Sequence, residues 1–264
     1  LLCHRASSVM EKLFEVIESA QGPYAKFEIL QYKPLELPDY YFSQKSGVRL
    51  KQVRITLNNG TVMTEAGALH FMKGHITVEN SVGGATGMLK KLASSMLTNE
   101  SVFKPTYQGQ GEIYLEPDFG HYLIHQLDHE EIIVDKGMFY CCESTVKVGL
   151  AAMKNISSAT RGGEGFFQTK LSGSGICVLK SPVPQDEIIK FQLNNERLQV
   201  DGDFALLRSG SIQFTVEKST QSMIGSVTSG EGLLQTFTGT GQVWIAPTQH
   251  LYRPSVPVQK KFSG

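Results

Sequence analysis

From about Tyr24 to Pro247 the chain alternates short apolar runs with Gly, Asn and Pro, as in Val53-Arg-Ile-Thr-Leu57 followed by Asn58-Asn59-Gly60. β-Branched and aromatic residues in short runs closed by turn formers mark half-buried strands, so this texture predicts an all-β body. Two segments break it. From Ser8 to Gln21, Met10, Leu13, Phe14 and Ile17 recur at helical spacing behind a Ser8/Glu11 capping box, and Gly22-Pro23 ends the run; this predicts a helical N-terminal extension over 1–23. From Gly83 to Leu97, Leu89, Leu92, Ala93 and Met96 share one side and Lys90 and Lys91 the other, which predicts one short helix inserted in the β body. The tail over 249–264, with Pro254 and Pro257, is expected to leave a single domain spanning 24–248.

The body repeats itself. Glu100-Ser-Val-Phe-Lys-Pro-Thr-Tyr-Gln-Gly-Gln-Gly111 aligns with Glu164 to Gly175 and, one residue shorter, with Glu231 to Gly241; the closing glycines stand 64 and 66 residues apart. Apolar residues follow each at offsets two and four: Ile113 and Leu115, Cys177 and Leu179, Val243 and Ile245. A second theme, an apolar strand end, an acid and then a glycine, recurs at Val62 to Gly67, Ile132 to Gly137 and Leu198 to Gly202. A period near 65 suits a small antiparallel sheet of about five strands at ~8–12 residues per strand and turn. Three such units, roughly 45–110, 111–175 and 176–247, are expected around a pseudo-threefold axis, with Gly111, Gly175 and Gly241 equivalent.

Charge narrows the function. The 264 residues carry 25 Lys+Arg against 25 Asp+Glu, so no electrostatic footprint for a nucleic-acid coat or a polybasic membrane anchor is present. Charged residues reach only 19%, as in a compact globular chain, and no run of ~18 apolar residues predicts a spanning helix. Cys3, Cys141, Cys142 and Cys177 form no Cys-x-x-Cys and make a poor disulfide framework, so a reducing compartment is expected. Leu1 to Val9 read as vector-derived residues before a start at Met10, with a fragment of an organellar targeting peptide as the alternative.

The pattern Gly83-Gly-Ala-Thr-Gly-Met-Leu-Lys-Lys-Leu92, then Glu100-Ser-Val-Phe103, then Gly230-Glu-Gly-Leu-Leu234 and Gly239-Thr-Gly-Gln-Val-Trp-Ile245 resembles the Altered Inheritance of Mitochondria family, whose domain is also described as tryptophan RNA-binding attenuator protein-like. The resemblance implies a bacterial member with an attenuator-protein-like body of three pseudo-threefold-related antiparallel units, sandwich or double-stranded β-helix in character. It implies no catalytic residues to carry over, and a link to inner-membrane organisation in the mitochondrial member.

No candidate chemistry survives its geometry well. The Gly-x-Gly motifs match neither Gly-x-Gly-x-x-Gly nor a P-loop and precede strands, so turns or bulges are expected of them rather than phosphate cradles. Symmetry could gather Glu100, Glu164 and Glu231, or Glu65, Asp135 and Asp201, into a cation site, but acids before glycine are ordinary turn residues. His121, His125 and His129 recur every fourth residue beside Asp128 and Glu130. On a strand that spacing is ~13 Å, too long to chelate one ion, so surface histidines are expected. Ser174 has no nucleophile elbow, and the repeat places Gln110 and Thr240 at its position. Cys141 and Cys142 lie in an apolar run, where core packing is expected of at least one; Trp244, between Val243 and Ile245, reads as core or interface rather than an RNA-stacking platform.

The expectation is therefore a non-enzymatic scaffold or assembly protein of the bacterial cytoplasm, with a mitochondrial setting as the alternative. It would use no cofactor and no nucleic acid, and would associate with protein partners or with itself. A small-molecule or metal-binding module at the pseudo-axis, or a peripheral membrane organiser, is the alternative. The candidate interaction surface is the stripe Leu89, Lys90, Lys91, Leu92 and Met96.

Overall fold

The computed structural model describes residues 13–33, 49–80, 104–152, 167–202, 204–218 and 233–252. They form thirteen strands in one antiparallel sheet: β1 (Phe14–Gln21), β2 (Ala25–Tyr32), β3 (Lys51–Thr64), β4 (Leu69–Asn80), β5 (Pro105–Leu115), β6 (His121–Val134), β7 (Phe139–Glu143), β8 (Val146–Ala152), β9 (Phe167–Ser181), β10 (Ile189–Asp201), β11 (Ala205–Ser209), β12 (Gln213–Lys218) and β13 (Leu233–Ile245). One 3-10 turn, Gln185–Glu187, and one helical turn, α1 (Gln249–Tyr252), complete the described elements. The all-β expectation holds.

The N-terminal helix does not form over the described part of its range. Phe14–Gln21 is strand β1, paired with β2 from Phe14↔Tyr32 to Gln21↔Lys26. The reason lies in β2, whose Phe27, Ile29 and Leu30 are buried; its backbone edge needs hydrogen-bond partners that a helix would not supply. Helical spacing in this segment carried no packing information, because Leu13, Val16 and Ile17 end up exposed while Phe14 alone is buried, against Leu30 and Tyr114. The C-terminal tail also starts closer to the body than expected: Gln249 is buried, and Glu187 accepts hydrogen bonds from the Tyr252 and Thr248 hydroxyls.

One strand pairing occurs three times. β5 lies between β3 and β4, β9 pairs β6 on one side and β7 and β8 on the other, and β13 pairs β10 on one side and β11 and β12 on the other. Leu57, Leu127 and Leu193 sit opposite Gly111, Gly175 and Gly241, and each ladder then slips, resuming at Gly60↔Gly109, Glu130↔Gly173 and Glu196↔Gly239. The slip absorbs two residues whose second member, Asn59, His129 or Asn195, takes a left-handed backbone at φ 50, 50 and 55. Asn and His tolerate that region better than β-branched residues do. In two cases a hydroxyl accepts the exposed N–H: His129 N donates to Ser174 Oγ and Asn195 N to Thr240 Oγ1, both at 3.0 Å. This gives Ser174 a role that its Gln110 equivalent cannot reproduce in the same way.

Neighbouring sets join through one recurring junction. Val62, Met63 and Thr64 of β3 pair with Glu143, Cys142 and Cys141 of β7; Ile132, Ile133 and Val134 of β6 pair with Ser209, Arg208 and Leu207 of β11. The strand ends are equivalent in both, and so are the registers. At β9 the sheet is covered on both faces: Ile176 and Val178 enter a cluster with Phe27, Ile55 and Tyr140, while Cys177 and Leu179 enter another with Leu127, Val134 and Trp244. A strand covered on both faces carries a continuous apolar run, which is what Ile176 to Leu179 is. Each fully buried Leu or Ile there contributes about 1.5–3 kcal/mol through burial.

Candidate functional site

The glycine motifs are crossing points. A Cβ on Gly109 would meet the His75 carbonyl oxygen at 2.0 Å and one on Gly111 the Lys73 carbonyl oxygen at 2.1 Å; both have positive φ, as do Gly173, Gly175, Gly239 and Gly241. At Gly109, Gly111 and Gly173 the closest neighbour is backbone, at Gly175 and Gly241 it is a side chain, and none lies at a helix N-terminus, so close approach and positive φ rather than anion binding explain them. Glu100, Glu164 and Glu231, and the stripe of Leu89, Lys90, Lys91, Leu92 and Met96, lie outside the described residues. Glu65 and Asp135 stand at the β3–β4 and β6–β7 turns, where their carbonyls accept the Ala68 and Met138 amides at 3.2 Å; Glu65 also pairs with Lys104. Asp201 ends β10 at the corresponding turn. Among the described residues no three His, Cys, Asp or Glu side chains converge as a metal would require.

The histidines separate along β6 as strand geometry dictates, but only His129 is a surface residue. His125 is a correction to the surface expectation: its ring meets the edge of Trp244 at 5.5 Å and its Nε2 lies 3.4 Å from Glu130. Burial pushes its pKa below the ordinary value, with Glu130 opposing. Trp244 is itself core, with Lys190 Nζ 3.9 Å from its ring centroid and its indole N–H donating to Gln242 at 3.0 Å. The thiols of Cys141, Cys142 and Cys177 are free and buried. Cys141 and Cys142 face opposite core clusters, so both are packed. Burial pushes Cys141 and Cys142 well above the usual thiol range and Cys177 up to about 12, the reverse of what a nucleophile needs.

One polar cluster has no sequence signal, because its members come from distant strands. Asp118, after β5, accepts from Lys180 Nζ at 2.8 Å and from the Gly120 amide at 2.8 Å, and its backbone bridges Lys51. Lys51 Nζ donates to the carbonyls of Gly120 and Arg49, and Lys180 Nζ also lies 4.4 Å from the ring centroid of Tyr140, which stacks on Tyr122. Burial alone would raise Asp118; the Lys180 hydrogen bond and charge overcome it and hold the carboxyl below 3.8. With Lys180 and Asp118 62 residues apart, only assembly of the sheet reveals the pair. Its chemistry is that of an ion-paired brace. A buried acid, Glu143, accepts the Ile176 amide at 2.9 Å on one oxygen while the other has no partner among the described residues, and burial raises its pKa.

The remaining distinctive surface is apolar and lies on an edge. Phe71 and Met72 on β4 are 43% and 40% exposed, whereas Cys141 and Cys142, and Leu207 and Arg208, at the matching positions of β7 and β11, are buried by their junctions.

Comparison with known proteins agrees with this architecture. An uncharacterized protein of Streptococcus pyogenes serotype M6 is 24% identical over 213 residues, covering 77% of this chain and 84% of that one. A Streptococcus pyogenes protein solved by X-ray crystallography superposes with a TM-score of 0.56 at 18% identity, covering 83% of this chain and 92% of the other, a likeness of fold. The family described as mitochondrial biogenesis AIM24 matches residues 43–248, from the segment before β3 to the residues after β13, and the chain belongs to that family.

Proposed function

We propose that the chain is a non-enzymatic assembly scaffold, with its three strand sets related by a pseudo-threefold axis in a sandwich-like, attenuator-protein-like body. The observation that supports this reading is the junction used twice within the chain in one register, β3 to β7 and β6 to β11, a pairing of strand edges that the scaffold role extends to further edges of the same kind. Arg54 of β3 braces Glu28 of β2, with Lys26 of the same strand as a second partner, and Lys180 of β9 braces Asp118 in the segment after β5. The reading assigns the chain no cofactor, no catalytic residue and no nucleic acid. Its partners are proteins, itself included, and a membrane surface is a contact of second rank. The reading places the chain in the cytoplasm; the streptococcal relative supports a bacterial setting, and the family's description the mitochondrial alternative. No helix among the described residues is long and apolar enough to cross a membrane.

Elemental analysis and native mass spectrometry of protein purified without an affinity tag test this reading. The expected result is no stoichiometric metal or small molecule. A metal ion or small molecule present at one per chain would overturn the scaffold and replace it with a ligand-binding module at the pseudo-axis.

A further inference from the structure

A junction used twice among three strand sets leaves one half of it unused at each end of the series. The first end is β4, whose Phe71, Met72 and Lys73 are equivalent to Cys141, Cys142 and Glu143 of β7 and to Leu207, Arg208 and Ser209 of β11. The second is the end of β10, whose Leu198, Gln199 and Val200 are equivalent to Val62, Met63 and Thr64 of β3 and to Ile132, Ile133 and Val134 of β6. β4 pairs with β5 and β10 with β13; the other side of each is unpaired among the described residues. Phe71 stacks on Tyr114 with centroids 4.4 Å apart and is still 43% exposed, so the end of the series does not fold back over it. An exposed edge carrying two large apolar side chains is a template for another strand, and soluble proteins cover or blunt such edges.

We infer that β4 of one chain pairs antiparallel with β10 of a second copy, in the register Lys73↔Leu198, Met72↔Gln199 and Phe71↔Val200. The occupant is a second copy because the complementary edge, the end of β10, belongs to this same chain. That register reproduces both internal junctions, placing Val200 against Phe71 as Thr64 stands against Cys141 and Val134 against Leu207. The contact is heterologous, since two different edges meet, and each chain offers both; repeated use closes a ring or extends a series. This inference rests on the scaffold reading and names its partner.

Two variants test it, each with one introduced cysteine, with Cys3→Ser, and with the buried Cys141, Cys142 and Cys177 left in place: Met72→Cys in one preparation and Gln199→Cys in another. Both positions are exposed, so both variants are expected to melt as the parent does. Mixed, equilibrated and oxidised, they are expected to give a disulfide-linked heterodimer at least tenfold in excess of any dimer from either variant alone. Mass measurement of the parent is expected to show two or more chains of 29.1 kDa in one particle. A linkage from Met72→Cys alone would mean that like edges meet and would overturn the register. A linkage that forms only in a third variant carrying both Met72→Cys and Gln199→Cys in one chain, with no gain in mass, would overturn the second copy in favour of internal closure. No linkage, with a single chain at all concentrations, would overturn the pairing and leave the scaffold reading to the ligand measurement above.

Discussion

A single Cβ decides whether the sheet can cross itself at the glycine motifs. At Gly109 it would stand 2.0 Å from a backbone oxygen that has nowhere to go, at a φ of 141° that L-residues avoid, so Gly109→Ala is expected to cost about 2–3 kcal/mol and to show as a clear drop in Tm. Gly149 has regular backbone and open space around it, so Gly149→Ala should be neutral or raise stability by about 0.5 kcal/mol in the same melting experiment. Equal losses at the two positions would contradict the crossing. Glu143 gives a pH signature at the same scale. Burial lifts its folded pKa above the ordinary 4.5, so the folded state holds its proton longer than the unfolded chain does. Stability from this group is fully present below 4.5 and is lost as pH rises through the raised value; Glu143→Gln should remove that slope in denaturant titrations run across the interval. Asp118 runs the other way. Its folded pKa is depressed, so its pair with Lys180 contributes above 3.8 and is lost as pH falls through the folded value, and Lys180→Met should remove that acid-side loss.

At the scale of elements, the case that separates pattern from packing is β1. Its apolar residues fit a helix wheel as well as they fit a strand, and what decides is the open edge of β2. Phe14→Ala should therefore cost about 3 kcal/mol by emptying the site against Leu30 and Tyr114, whereas Val16→Ser on the exposed side should change stability by less than about 0.5 kcal/mol. A helix packed through the face shared by Leu13, Phe14 and Ile17 would instead make Ile17→Ser as damaging as Phe14→Ala. The strands of the body were legible because each theme recurs: an apolar run, a turn glycine and a Gly-x-Gly crossing fix where a strand begins and bends, whatever its neighbours. Gly67, Gly137 and Gly202, picked out from the repeated acid-then-glycine theme, all carry positive φ at the turns that theme predicts.

For the whole molecule, the free thiols report how completely the core closes. Cys141, Cys142 and Cys177 are buried at strand positions that open only when the sheet comes apart, so a maleimide should modify them at the rate of global unfolding. Labelling of the native protein within minutes, read by mass spectrometry after digestion, would contradict the packed centre at β7 and β9. By itself the sequence determined what is local and periodic: an all-β body, turns at the acid-glycine themes, and matching ladder positions for Gly111, Gly175 and Gly241. Tertiary structure alone decided what depends on meetings between distant strands. These are the strand fate of Phe14–Gln21, the brace of Asp118 on Lys180, the burial of His125 against Trp244, and the junction that recurs twice and stops at Phe71 and Val200. The physical reason is that hydrophobic pattern and turn chemistry act within about ten residues, while pairing partners are chosen by which edges remain open once the core has closed.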